Sequence, residues 1–94
     1  MIRFIFADTN TLTRIEREIA ARLGCPYASH EWIAESGYLP IHESYYETII
    51  GVLKEFDDEF EVKELVEVKI NDDGSEELVF RNVDKSQLFT NKIK

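Results

Sequence analysis

The chain has 94 residues, 44% of them hydrophobic and 12% aromatic, and carries a formal net charge of -8. This length holds one modest hydrophobic core and excludes two, while the apolar content excludes a disordered acidic polymer. The sign of the charge repels nucleic acid and anionic membranes and attracts basic partners.

The acids are segregated along the chain. Up to Gly24, Arg3, Arg14, Arg17 and Arg22 outweigh Asp8, Glu16 and Glu18, whereas between Glu31 and Asp84 only Lys54, Lys63, Lys69 and Arg81 oppose the carboxylates. Lys85, Lys92 and Lys94 then make the tail basic. Cys25 is a lone thiol with neither a disulfide partner nor a set of zinc ligands around it. The apolar start is cut short by Asp8-Thr9-Asn10, too early for a signal-peptide core or a membrane span. A cytoplasmic protein is therefore expected, as one domain over residues 1–94 with 85–94 as a loosely docked tail.

In chain order, Ile2, Phe4 and Phe6 alternate with Arg3, and Ile5 and Ala7 allow the second face to be covered, so residues 2–7 read as an interior strand. Asp8 to Thr11 is turn and cap chemistry, and Thr13 with Glu16 has the spacing of a capping box. Leu12, Ile15, Ile19 and Leu23 then form the buried stripe of a helix stopped by Gly24. Pro26, Gly37 and Pro40 punctuate the next stretch, which leaves room for a short helix over Ser29–Glu35. A second long helix is expected from His42 to Phe56, with Ser44 and Glu47 as its capping box and Tyr45, Ile49, Val52, Leu53 and Phe56 facing inward. Beyond it the period becomes two: Phe60, Val62, Val66, Val68 and Ile70 point one way, with a bulge expected near Glu64 and Leu65. Asn71-Asp72-Asp73-Gly74 is a hairpin turn, and the returning strand carries Leu78 and Phe80 on one side and Val79 and Val83 on the other. The sum is an α+β fold: an N-terminal strand, two main helices on an antiparallel sheet, and a C-terminal hairpin that completes it, in β-α-α-β-β order.

Two local patterns resemble nucleic-acid proteins. Glu16–Glu35 resembles a helix-turn-helix, with Ile19, Ala20 and Leu23 before Gly24 in the turn and Ile33 as the anchor of the second helix. The resemblance implies a DNA-binding regulator, although its second helix offers Glu31, Trp32 and Glu35 where phosphate contacts want Lys or Arg. Phe6-Ala7-Asp8-Thr9-Asn10 resembles the first motif of the PIN-domain nucleases, which implies Asp8 as a ligand of a catalytic divalent metal with Glu43 or Glu47 as a second.

The reading that absorbs most of the chain is a non-enzymatic inhibitor docking on a basic surface, without cofactor or metal. In size and charge it is similar to small phage-encoded inhibitors such as anti-CRISPR proteins, and to toxin-immunity proteins. The candidate partner-binding acids run from Asp57, Asp58 and Glu59 through Glu61, Glu64 and Glu67 to Asp72, Asp73, Glu76 and Glu77. Strand residues two apart stand about 7 Å apart on one face, close to the phosphate spacing of a nucleic-acid strand, so such a row would mimic a nucleic acid bound by an enzyme. Trp32 and Tyr38, among interleaved glutamates, are the candidate desolvated anchors.

Overall fold

The alternation at the N-terminus becomes a strand, β1 (Arg3–Phe6), with Ile5 fully buried. A computed structural model of the chain describes residues 2–56 and 59–86. Among these, β1 lies inside a four-stranded antiparallel sheet with β2 (Tyr38–Ile41), β3 (Glu61–Ile70) and β4 (Glu76–Val83), in the order β2-β1-β3-β4. Helices α1 (Thr9–Leu23), α2 (His30–Ser36) and α3 (Tyr46–Leu53) complete the α+β fold. The expected class and element order hold, with β2 as an added edge strand.

Helix α1 starts a turn earlier than the Thr13–Glu16 spacing predicts. Asp8, in extended backbone, accepts a 2.7 Å hydrogen bond from the Thr11 N–H and is the cap. Glu16 is thereby free for another role. Gly24 ends the helix as expected, with φ 80 and its N–H on the Ala20 carbonyl. The Thr11 backbone N–H, then its hydroxyl, and more weakly Arg14, hold the Asp8 carboxyl below its ordinary value of 3.8. A depressed folded value adds stability above the unfolded value, and that stability is lost as pH falls through the folded one. Replacing Asp8 with Ala should accordingly lower the melting temperature at neutral pH, while Asp8→Asn retains most of the cap. The Ala deficit should shrink as pH drops below 3.8. An Asp8→Ala deficit that persisted undiminished in acid would show that the carboxylate is not what caps α1.

The second expected helix is shorter than its pattern. Glu43–Tyr45 form a 3-10 turn without a side-chain cap, so the Ser44–Glu47 box is not used, and α3 spans only Tyr46–Leu53. Ile49, Ile50, Val52, Leu53 and Phe56 are buried, whereas Tyr45 is exposed. They meet Leu12, Ile15 and Ile19 of α1, Ile33 of α2, and Ile5, Leu39, Ile41 and Val62 of the sheet, so the core lies between the helices and one sheet face.

The two sheet edges differ. At β2, the Tyr27 hydroxyl donates to the Pro40 carbonyl and accepts from the His42 N–H at 3.2 Å, and Pro40 itself has no N–H to offer. Burial raises the Tyr27 hydroxyl above its ordinary value, against the opposing pull of the His42 backbone bond, which keeps it a donor. At the other edge, β4 pairs with β3 alone among the described residues.

Candidate functional site

Strand alternation turns Phe4 and Phe6 away from the helices, because Ile5 between them is in the core. Register then sets their neighbours. Phe6 lies opposite Tyr38, Phe4 opposite Lys63, and Leu65 opposite Phe80. The rings form one cluster on the face left helix-free among the described residues: Phe4–Tyr38 at 4.8 Å, Phe4–Phe80 at 5.6 Å, Phe6–Phe80 at 5.1 Å and Phe6–Tyr38 at 5.3 Å between centroids. Most of these contacts are edge-on, the favourable arrangement for aromatic pairs. Helix α2, capped by Ser29 and stopped at Gly37, brings Trp32 to the rim at 5.4 Å from Tyr38. The Lys63 ammonium stands 4.9 Å from the Phe6 ring centre.

The bulge extends this face. The register shifts between Leu65 and Glu67, so Val66 is the inserted residue and the parity of β3 reverses beyond it. Val62 faces the core, but Val68, opposite Leu78, and Ile70, opposite Glu76, face the open side with Phe80. The expectation that Val62, Val68 and Ile70 share one face is corrected by that single residue. Only Glu61–Glu64 of β3 pair with β1, so the hairpin continues past it as a two-stranded arm. Val66, Val68, Ile70 and Leu78 on this arm are exposed, Ile70 by 66%. The arm ends in a turn whose Gly74 has φ 88, with Asn71 and Ser75 joined by a 2.8 Å backbone bond and Asp73 accepting from Ser75.

The candidate acids do not share a face. Glu61 and Glu76 lie on the open side, Glu67 and Glu77 on the opposite side of the arm, and Asp72 and Asp73 at its tip. Glu59 pairs with Arg14 at 3.1 Å. Asp57 and Asp58 lie outside the described residues, as does the tail from Gln87 onward. Glu64 is turned toward the helices and is only 4% exposed, held between Arg3 at 3.8 Å and Arg81. These three side chains line a cleft of about 750 Å³, together with Ile41, Glu43 and Tyr46. The two arginines are already engaged by Glu64, and the buried Tyr46 hydroxyl has no hydrogen-bond partner among the described residues.

The residues of the two nucleic-acid resemblances do not converge either. Asp8, at the Phe6 end of β1, serves as a cap, while Glu43 lies at the Arg3 end, beside the cleft. In Glu16–Glu35, the buried Glu16 accepts from the Tyr27 and Ala28 N–H groups at 2.9 and 3.2 Å and contacts the His30 ring at 3.2 Å. The turn between α1 and α2 is thus fastened by a carboxylate. Cys25 beside it is exposed. Among the described residues no group of three or more His, Cys, Asp or Glu is arranged to hold a metal, and no helix is long and apolar enough to cross a membrane.

Compared with protein-family models, with curated proteins and with solved structures, the chain gives no significant match in any of the three.

Beside Trp32 and Tyr38 the face holds Phe4, Phe6, Phe80, Val68, Ile70 and Leu78, none of which the sequence pattern marks as lying on an open side. The available signal was the unequal length of β3 and β1, since an arm that outruns its sheet leaves its apolar residues uncovered.

Proposed function

We propose that this chain is a non-enzymatic interaction protein that docks through the helix-free face of its sheet onto another protein. The observation that carries the reading is the apolar surface running from Trp32 and Tyr38 across Phe4, Phe6 and Phe80 to Val68, Leu78 and Ile70. Contiguous apolar surface of this kind on an otherwise highly charged chain is a hallmark of an interface. Clustered aromatics are the residue type that dominates binding energy.

The partner surface that suits it is apolar at its centre and basic at its rim. On the open face Glu61 lies beside the rings and Glu76 beside Ile70 at the far end of the apolar surface, Glu31 and Glu35 flank Trp32, and the whole molecule carries a charge of -8. Those charges would steer encounter and set its salt dependence, and the rings would set residence time. An inhibitor of a nucleic-acid-binding enzyme is the form of this reading in which the partner's basic rim is already present. Carboxylates divided between two faces give less support to mimicry of a phosphate row than the continuous apolar face gives to direct docking.

The test compares wild type with Val68→Lys/Ile70→Lys in affinity capture from the source cells, followed by titration of the purified partner. The exposed positions make the variant's circular dichroism and melting temperature close to wild type. A basic protein should be retained by wild type, and its affinity should fall about 100-fold in the variant, the scale of one lost hot spot. Raising the salt should weaken it further, mainly through the association rate. A partner bound equally well by the double-lysine variant would overturn the assignment of this face.

A further inference from the structure

The β4 edge has a sequence that is complementary to itself. Edge strands are ordinarily blunted by proline, bulges, short length or a covering element. The β2 edge has three of these, Pro40, a length of four residues and the covering Tyr27 hydroxyl. Strand β4 runs regularly from Glu76 to Val83, its sequence contains no proline, and the bulge of the hairpin lies in β3 instead.

We infer that β4 pairs antiparallel with β4 of a second copy, on a two-fold axis at Val79. In an antiparallel pair, opposed residues face the same side, so a symmetric register must be centred on a residue. Centred on Val79, Glu77 opposes Arg81 of the second copy, Leu78 opposes its Phe80, and Glu76 opposes its Asn82. The symmetry makes each of these pairs occur twice. Centring on Leu78 would oppose Glu76 to Phe80 and Glu77 to Val79. Centring on Phe80 would oppose Arg81 to Val79 and Glu77 to Val83. Only the Val79 register matches charge with charge and apolar with apolar.

Rows already present in one molecule extend through this register. Arg3, Glu64 and Arg81 are direct cross-strand neighbours, and so are Lys69 and Glu77. Pairing at Val79 joins them into one row of alternating sign: Arg3, Glu64 and Arg81 of one copy, then Glu77 and Lys69 of the other. The Arg81 side chain is 63% exposed beyond its bond to Glu64, and a guanidinium has donors to spare for a second carboxylate. On the opposite face, Phe80 and Leu78 of the two copies join the two apolar surfaces into one. The inference uses the edge rather than the open face, so it stands or falls separately from the proposed docking function.

Register-specific cross-linking tests it. In a Cys25→Ser background, Val79→Cys and Leu78→Cys are oxidised mildly at physiological salt, where a Debye length of about 8 Å mutes the repulsion between two acidic chains. In the inferred register the two residues at position 79 have Cα atoms about 5 Å apart, within disulfide reach. The two at position 78 are about 8 Å apart and beyond it. A covalent dimer should form with Val79→Cys and not with Leu78→Cys. Sedimentation equilibrium of the wild-type chain should show a reversible dimer that Glu77→Arg weakens about tenfold or more, because like charges then oppose each other twice. Equal cross-linking of both variants, cross-linking of Leu78→Cys alone, or a wild-type chain that stays monomeric would each overturn the inference.

Discussion

Replacing Glu16 with Ala should lower stability by about 2–4 kcal/mol, since two backbone donors lose their acceptor at a site where each orphaned group costs about 1–3 kcal/mol. The carboxylate is 3% exposed and accepts from both Tyr27 and Ala28, so it holds the chain that crosses from α1 to α2. For a domain of this length such a loss corresponds to a melting temperature lower by about 10 °C or more. Glu16→Gln keeps one acceptor oxygen and should fall between wild type and Ala. His30→Ala removes only a half-exposed contact and should change little. Thermal denaturation of the three variants checks the order. An Ala variant as stable as wild type would mean that water reaches the Tyr27 and Ala28 donors.

The second large effect is an asymmetry around Glu64. Removing the acid, as in Glu64→Ala, leaves Arg3 and Arg81 with side chains 33% and 63% exposed, free to hydrate, and should cost about 1–2 kcal/mol. Removing both arginines, as in Arg3→Met/Arg81→Met, leaves a buried carboxylate without a counter-charge and should cost about 2–4 kcal/mol. Restoring an apolar row with Glu64→Leu in that double variant should recover much of the loss. Denaturant midpoints of wild type and the three variants give the order. If the double arginine variant were no less stable than Glu64→Ala, the carboxylate would have to be solvated rather than buried. For function, the point is that substitutions at Glu64 act on the fold, and a binding defect there must be read against the melting curve.

How far these features could be read in the sequence depends on whether they were local. The Ile15–Ile19 stripe and the Gly24 stop are set by neighbours within one or two turns and lie where their spacing puts them, and the short helix expected over Ser29–Glu35 is found at His30–Ser36. Thr13 and Glu16 have an equally good local pattern, but it was outcompeted: Asp8 caps the helix, and Glu16 satisfies the loop donors of Tyr27 and Ala28 that the α1 spacing does not reveal. The strand Tyr38–Ile41 was obscured by Pro40, which is tolerated because this is an edge. The exposed apolar face was illegible for a stricter reason. Phe4 and Phe6 look like core, and only the packing of the described helices against the Ile5 side reveals that none of those helices covers the other face. Val68 and Ile70 look coplanar with Val62 until the inserted Val66 reverses them. Parity along a strand survives only as far as the first bulge.

The Tyr27 hydroxyl has a consequence for solubility. Exposed valine and isoleucine on a regular hairpin are the raw material of fibrils, and fibrils need two open edges so that each added chain exposes a new one. By closing the β2 edge through Pro40 and His42, Tyr27 leaves the sheet with one direction of growth. A chain that adds at β4 therefore terminates the array instead of propagating it. Together with Pro40, this phenol makes the β2 edge the closed end of the sheet.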